Sequence, residues 1–230
     1  MKILCTIFTA VVLLTAAVQA ADTDADGFTA LFNGKDLTGW DGKTEFWSVQ
    51  NGVITSESTP ANPCKKSNYL TCTAAVPDNF HFKITFRMQG EGSNSGIQFR
   101  SKQLPDYDTY GYQADVDDSG QWTGCLFHHK RGAVVKRGFE DVIGADGKVV
   151  SSKSIGDPAE LIKQYKKGGW NDYEVIADGS VITLKINGKE MCKVDDRHAT
   201  EAVKSGILAL QMHQGKPMKV EFKNVKIKAL

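Results

Sequence analysis

The feature that most constrains this chain is the nine-residue run Phe80–Met88, in which apolar and polar residues alternate without a break. Phe, Phe, Ile, Phe and Met alternate with His, Lys, Thr and Arg. Successive side chains of an extended strand point to opposite faces, so this pattern predicts a long antiparallel strand with one face in a core. The other face, which carries Arg87, points away from that core.

Shorter alternating runs recur along the chain, and Asn-Gly pairs at 51–52 and 187–188 predict two-residue hairpin turns. One short helix is predicted near 157–167, because Asp157 can cap it, Pro158 suits its first position and Glu160 lies three residues after the cap. A single helix cannot supply the crossovers of a parallel sheet. The predicted fold class is therefore all-β, a sandwich of two antiparallel sheets. Residues 117–156 are expected to form a long irregular segment of the kind that often lines a site.

Residues 1–20 resemble a signal peptide, with a basic start, a short apolar centre and small residues before Ala21-Asp22. Residues 21–26 are expected to be a flexible lead-in and 27–230 a single domain. A periplasmic or secreted location follows, with no membrane span. Without residues 1–20, which contain one Lys and no acidic residue, the 28 basic and 27 acidic residues become equal in number. That balance argues against a nucleic-acid partner.

The expected mature chain holds four cysteines, Cys64, Cys72, Cys125 and Cys192. Their spacing matches no zinc pattern. Four cysteines allow three pairings, and in an exported protein a Cys64–Cys72 disulfide across one loop is one candidate. Cys125 and Cys192 are expected to be buried free thiols, since free cysteine is often a core residue.

The polar faces of several predicted strands carry groups suited to hydrogen-bonding a polar ligand. Alternation places Gln98 with Arg100, Gln113 with Asp115, and Gln211 with His213 on such faces. If these strands share one sheet with the strand of Arg87, all seven side chains converge on one surface. Arg, Gln and Asp offer fixed hydrogen-bond donors and acceptors that can distinguish the groups of a polar ligand. Asn94 precedes the first strand, and Trp122 is expected to stack on a ring of the ligand. The predicted ligand is therefore polar.

Six motifs together resemble one family, the 3-keto-disaccharide hydrolase domain of exported bacterial proteins. They are Leu31–Trp40 (LFNGKDLTGW), Asn94–Arg100 (NSGIQFR), Gly111–Asp115 (GYQAD), Trp170–Tyr173 (WNDY), and Leu210–His213 (LQMH) before Phe222–Val225 (FKNV). The resemblance spans about Gly27 to Leu230. It implies a concanavalin A-like jelly roll and cleavage of glycosidic bonds in (3-keto-)disaccharides or glycosides.

The resemblance also implies a mechanism. A ketone at C3 acidifies the C2 hydrogen, so a base can remove it while the glycosidic oxygen leaves C1, and water then adds. His213 or Asp115 would be the base, Arg100 with Gln113 would bind the enolate oxygen, and His128 would be the acid. Many members have Gly-Tyr-Glu where this chain has Gly-Tyr-Gln. Gln113 cannot transfer a proton, so Asp115, two residues later on the same face, would take that role.

Several alternatives stay open at this stage. A two-carboxylate glycosidase would use Glu91 with Asp115, and a non-catalytic carbohydrate-binding module would need neither. No cofactor is predicted, although His213 and Asp115 could together hold a divalent metal. Arg100 could instead form a structural ion pair with Asp115. Trp40, Trp47 and Trp170 are expected in the core. The oligomeric state is not fixed by the sequence.

Overall fold

The computed structural model of the protein describes residues 23–230, so the predicted signal peptide at 1–20 lies outside the described residues. The regular secondary structure of the described residues is almost entirely β-strand. The strands are β1 (Thr29–Ala30), β2 (Trp40–Asp41), β3 (Trp47–Gln50), β4 (Val53–Ser58), β5 (Asn68–Cys72), β6 (Phe80–Gln89), β7 (Asn94–Leu104), β8 (Asp108–Asp117), β9 (Leu126–His128), β10 (Gly132–Val135), β11 (Phe139–Ile143), β12 (Val149–Ser154), β13 (Asn171–Asp178), β14 (Val181–Ile186), β15 (Lys189–Asp196), β16 (Ile207–Met212) and β17 (Met218–Ala229). The described residues also contain one α-helix, α1 (Pro158–Leu161), which continues as a 3-10 turn over Ile162–Gln164, and a separate 3-10 turn at Pro105–Tyr107.

Within residues 23–230 the strands form two sheets. The larger sheet has the order β12-β11-β15-β14-β13-β6-β17-β4-β3, with β1 also paired to β17. The smaller sheet has the order β10-β9-β8-β7-β16-β5-β2. Neighbouring strands are antiparallel except β11 and β15, which run parallel. The all-β jelly-roll prediction is confirmed, and among the described residues no helix has the length and apolarity needed to cross a bilayer.

The core lies between the sheets and is supplied by the apolar half of each alternating strand. On β6 every second residue from Phe80 to Met88 is buried, and Arg87 is on the outer side as predicted. On the smaller sheet Ile97 and Tyr112 are among the side chains that face inward, each about 1% exposed. This inward packing leaves the alternate side chains of the smaller sheet on its outer face, where the candidate site lies.

The turns follow the sequence closely. Asn51 and Gly52 both have positive φ (51° and 76°) and join β3 to β4, and Asn187 with Gly188 (50° and 77°) joins β14 to β15. Both positions of this turn type need positive φ, which Asn and Gly tolerate best. The carboxylate of Asp157 accepts a hydrogen bond from the Ala159 N–H at 2.8 Å, which confirms the predicted cap.

Three expectations need correction. The segment 117–156 is not one irregular stretch, because it contains β9 to β12, whose short alternating runs are hidden among Gly and Lys residues. The predicted Cys64–Cys72 disulfide is wrong. All four cysteines of the described chain are free and buried, and the Cys64 thiol donates instead to the Lys66 carbonyl at 3.1 Å. Residues 23–26 form a turn rather than a loose lead-in, since Asp24 accepts hydrogen bonds from the Phe28 N–H (2.9 Å) and Lys226 Nζ (2.7 Å).

Candidate active site

A cleft of about 480 Å³ lies on the outer face of the smaller sheet. It crosses strands β5, β16, β7 and β8, which are neighbours in that sheet, and it reaches β9. Its lining mixes carboxyl, amide, imidazole, phenol and indole groups. The lining residues are Ser67, Tyr69, Asn94, Asp108, Gln113, Asp115, Trp122, Phe127, His129, Gln211, His213 and Gln214.

Strand register brings the polar side chains of the floor together. Gln98 on β7 pairs with Gln113 on β8, and Gly96 pairs with Asp115. A Cβ atom at Gly96 would lie 2.6 Å from Cγ and Cδ of Gln113. Because Gly96 has no side chain, the Gln113 side chain of β8 can lie over the backbone of β7 at this point. Leaving that space is the structural role of the glycine in the Asn94-Ser95-Gly96 motif.

A chain of amide hydrogen bonds fixes this floor. Gln113 Nε2 donates to both Asp115 Oδ1 and Gln211 Oε1, the second at 3.2 Å. Gln98 Nε2 donates to Gln113 Oε1 at 2.6 Å, and Gln211 Nε2 donates to the Tyr69 hydroxyl at 2.9 Å. Because both N–H groups of Gln113 are used within the protein, the role of this residue is to hold Asp115 and Gln211 in place.

Asp115 is the most perturbed acid of the cleft. It is only 6% exposed. Burial raises the pKa of its carboxyl from 3.8 to about 7, with a smaller contribution from the charge of Asp117, while the hydrogen bond from Gln113 opposes the rise. A carboxyl with a pKa near neutrality can both accept and return a proton under ordinary conditions. Asp115 is therefore the best-suited general base or acid among the residues of the cleft.

Asp117, two residues after Asp115 on β8, holds the loop that carries Trp122 by accepting hydrogen bonds. Its two oxygens accept hydrogen bonds from the backbone N–H groups of Gln121, Trp122 and Thr123 at 3.2, 2.8 and 2.9 Å, and also from Ser119 Oγ. The loop therefore has a defined path, and it places the Trp122 ring at the cleft with 36% of the residue exposed. An exposed indole ring held in this way is suited to packing against a sugar.

Two histidines line the cleft. His213 Nδ1 lies 2.6 Å from the Gln214 carbonyl, so this nitrogen carries a proton and Nε2 is the atom that can accept one. His129 lies against Tyr69, with Nε2 at 3.4 Å from the phenol oxygen. Its Nδ1 lies 3.2 Å from the carbonyl oxygen of Gly111.

The structure brings six of the residues selected from the sequence into the cleft: Asn94, Gln113, Asp115, Trp122, Gln211 and His213. Gln98 lies directly behind Gln113 and is fully buried. The expectation of one shared polar surface therefore holds for these positions. Their individual roles stay predictions.

Three selected residues lie elsewhere. Arg100 has positive φ (44°) at a β-bulge, and its guanidinium donates to the carbonyls of Asp78 (2.7 Å) and Gly179 (2.8 Å) in loops of the other sheet. Its predicted place beside Gln113, and the suggested ion pair with Asp115, are wrong because the bulge turns it inward. His128 is completely buried on the core side of β9, where burial lowers its pKa to about 4. Arg87 belongs to the larger sheet, where it pairs with Glu221.

Two supporting expectations also change. Trp170 is not a core residue, since it lies half-buried on the larger sheet with the Arg87 guanidinium 4.6 Å and Lys223 Nζ 4.1 Å from its ring centre. Trp40 and Trp47 are buried, as expected. Glu91 is exposed beside Lys216 at 3.0 Å and does not line the cleft, so it cannot form a carboxylate pair there with Asp115.

Sequence reasoning missed several lining residues, of which Tyr69 and His129 matter most chemically. Alternation could have found His129, because Leu126 faces the core and Phe127 faces the cleft, which sends His128 inward and His129 outward. Alternation could not have found Tyr69, because every residue of β5 is buried and the strand has no exposed face to contrast with a buried one. Across residues 23–230, no three His, Cys, Asp or Glu side chains are grouped in a way that would hold a metal ion.

Two larger depressions, of about 800 and 1300 Å³, lie away from the smaller sheet. Ionisable groups in the first of them form surface ion pairs, such as Lys83 with Glu174 at 3.7 Å and Lys226 with Asp24 at 2.7 Å. By volume alone, these two depressions would be the stronger candidates for the functional site. The cleft is the better candidate because it contains a buried carboxyl with a pKa near neutrality and convergent polar groups.

Solved structures of known proteins share the fold of this chain. Two structures from Parabacteroides distasonis, both provisionally named glycosyl hydrolases, share the fold. One is 22% identical and covers 90% of this chain and 95% of its own (TM-score 0.56), and the other is 19% identical and covers 88% and 99% (TM-score 0.54). The carbohydrate binding module CBM66 from Bacillus subtilis is 13% identical over 83% of this chain and 96% of its own (TM-score 0.53). At these identities the likeness establishes the fold alone. No curated protein matches the sequence significantly.

The strand arrangement defines a jelly-roll domain, and the matched family makes it carbohydrate-related. Residues 27–228 match the 3-keto-alpha-glucoside-1,2-lyase-like domain. The chain belongs to that family, and the resemblance read from its motifs is confirmed.

Proposed function

We propose that the protein is an exported enzyme that cleaves the glycosidic bond of 3-keto-disaccharides or related glycosides by elimination followed by hydration. One observation carries the proposal: the cleft of this family member contains a carboxyl group, Asp115, whose pKa burial raises to about 7. Elimination needs a base that removes a weakly acidic C–H proton near neutral pH, and a base performs best when its pKa is close to the working pH.

Asp115 acts as the base at C2. Gln113 holds its Oδ1 atom, whereas Oδ2 makes no hydrogen bond within the described chain and is available to the substrate proton. Removing this proton lets the electron pair form a C1–C2 double bond while the C1–O bond breaks. The keto oxygen at C3 gains negative charge and needs a hydrogen-bond donor. Asn94, whose amide makes no hydrogen bond within residues 23–230, lines the cleft and can donate. Arg100 cannot, because it lies outside the cleft.

His213 is the competing base, since its Nε2 atom is an acceptor when Nδ1 donates to the Gln214 carbonyl. The pH dependence of the two variants separates the candidates. With Asp115 as base, kcat/KM of the wild type rises as pH passes through about 7, because only the deprotonated carboxyl is active. Asp115→Asn removes this rise along with most of the activity, whereas His213→Gln leaves the rise in place.

A second function is favoured by a specific observation. Trp122 and Phe127 give the cleft an aromatic wall, with Trp122 36% exposed, and CBM66 shares the fold. A carbohydrate-binding module needs only this wall and the fixed polar floor. Such a module would bind saccharides without turnover, and its affinity would depend on Trp122 while Asp115→Asn would leave it nearly unchanged.

The test compares a 3-keto-disaccharide with the unoxidised parent sugar. Wild type, Asp115→Asn and the control Asp178→Asn are assayed in D2O for released sugar and for deuterium at C2. Asp178 is exposed at the end of β13, in the other sheet. We expect the wild type and the control to cleave only the keto sugar and to incorporate deuterium at C2, and Asp115→Asn to lose at least about a hundredfold in kcat/KM. Saccharide binding without turnover of either sugar would contradict the enzyme and support the binding module.

A further inference from the structure

The cleft also contains a tyrosine–histidine pair, Tyr69 with His129, which the mechanism above does not use. Tyr69 is 2% exposed, and its hydroxyl is at the cleft. Gln211 Nε2 donates to this hydroxyl at 2.9 Å, and His129 Nε2 lies 3.4 Å from it. The phenol oxygen therefore has one fixed donor and one neighbour that can either donate or accept.

The His129 ring is held by aromatic contacts rather than by a charge. It stacks on Tyr110 with ring centres 6.1 Å apart and meets Phe127 and Tyr69 edge-on at 5.9 and 6.4 Å. Its Nδ1 lies 3.2 Å from the Gly111 carbonyl oxygen and 3.3 Å from the Gly111 nitrogen, whose N–H it can accept. When Nδ1 accepts from that N–H, Nε2 carries the ring hydrogen, and Nε2 faces Tyr69.

We propose that Tyr69, backed by His129, is the acid that protonates the departing glycosidic oxygen. This rests on the function proposed above. With Gln211 N–H and His129 Nε2–H both directed at the phenol oxygen, the hydroxyl hydrogen of Tyr69 is free to point at the substrate. Burial raises the pKa of Tyr69 to about 12, so the group is a neutral phenol that can donate this hydrogen. Its own proton is then replaced from the His129 imidazolium.

The protons balance over the reaction. In the elimination, Asp115 takes the C2 proton, the C1–O bond breaks, and the leaving oxygen takes the Tyr69 proton, which His129 replaces. In the hydration, water adds to C1 while its proton returns through Tyr69 to His129, and Asp115 gives its proton back to C2. After elimination Asp115 has gained a proton and His129 has lost one, and hydration restores both groups to their starting states. Water is the only co-reactant. Tyr69 is the catalytic residue in this scheme, and His129 is a positioning residue that acts through it.

The test uses two 3-keto-α-glucosides that differ only in the leaving group. Methanol is a poor leaving group that needs a proton, whereas 4-nitrophenolate leaves without one. Tyr69→Phe and His129→Gln are expected to lose about 10²–10⁴ in kcat/KM on the methyl glycoside and less than about tenfold on the nitrophenyl glycoside. His81→Gln, on the outer face of the other sheet, is the matched histidine control.

The ratio of the two substrates on one preparation is independent of the fraction of folded protein, so a partly misfolded variant cannot imitate the result. Equal losses on both glycosides would overturn the acid assignment while leaving the proposed function intact. Absence of cleavage of either glycoside by the wild type would overturn the proposed function, and this acid with it.

Discussion

Asp115→Asn should stabilise the protein, and the gain should grow with pH. Burial raises the pKa of the Asp115 carboxyl from its ordinary value of 3.8 to about 7, so the folded protein binds this proton more tightly than the unfolded chain does. The charged form is therefore disfavoured by folding. Below about pH 4 the group is protonated in both states and causes no loss of stability. As pH rises from 4 towards 7, the Asp115 carboxyl loses its proton in the unfolded chain but keeps it in the folded protein, so the free energy of unfolding falls.

The two pKa values set the size of this effect. Each pKa unit corresponds to ~1.4 kcal/mol, so the loss approaches ~4 kcal/mol once the pH exceeds the folded-state value. About two-thirds of that loss develops between pH 5 and pH 8, roughly 2–3 kcal/mol. An asparagine keeps the oxygen that accepts from Gln113 but has no charge to bury. It should therefore avoid the whole pH-dependent part of the loss.

Urea unfolding of both proteins at pH 5 and pH 8 measures this directly. The difference in unfolding free energy, variant minus wild type, should increase by about 2–3 kcal/mol between the two pH values. Asp178→Asn, an exposed substitution in the other sheet, should show no such increase. A difference between Asp115→Asn and wild type that is the same at pH 5 and pH 8 would refute the raised pKa, and with it the main support for Asp115 as the base.

Three further substitutions test other parts of the architecture. Gly96→Ala places a Cβ atom 2.6 Å from Gln113 Cδ, and should cost about 1–3 kcal/mol in urea unfolding and lower kcat/KM at least tenfold; unchanged activity would contradict the role given to Gln113. Arg100→Met leaves the carbonyls of Asp78 and Gly179 without a charged donor and should lower the free energy of unfolding by roughly 2–4 kcal/mol. The pH dependence of kcat/KM of the folded variant should equal that of the wild type. A shifted pH profile would show that Arg100 acts in the site after all. Gln113→Glu sets a second carboxyl against Asp115 and should destabilise the protein more at pH 8 than at pH 5, by about 1–3 kcal/mol, which differential unfolding at the two pH values checks.

The fold was accessible from the sequence because its information is local. Alternation in Phe80–Met88 and the Asn-Gly turns each specify their own element, and the helix cap at Asp157 is equally local. Strands β9 to β12 were missed because each is short and the surrounding Gly and Lys residues dominate the composition. One of them, β11, also pairs with β15, a strand far along the chain that no local pattern connects to it.

The site was accessible only where alternation was unbroken. Gln113 and Asp115 lie within a regular part of β8 and occupy the predicted face. Arg100 follows Phe99 into a bulge, and one irregular residue is enough to send the next side chain to the opposite side. Arg87 was misplaced for another reason. Its strand alternates perfectly, but which sheet a strand joins is decided by long-range pairing that no local pattern records.

The amide at position 113 explains how one carboxyl can work alone in this cleft. The Gly-Tyr-Glu pattern of similar sequences would place a glutamate at this position. Two adjacent carboxylates repel each other when both are ionised, so such a glutamate would share a proton with Asp115. Gln113 instead offers two N–H donors, which stabilise the ionised form of Asp115 against its burial and hold Gln211 against Tyr69. In the proposed mechanism the amide at position 113 therefore leaves Asp115 as the one carboxyl of this pair that takes the proton from C2 and later returns it.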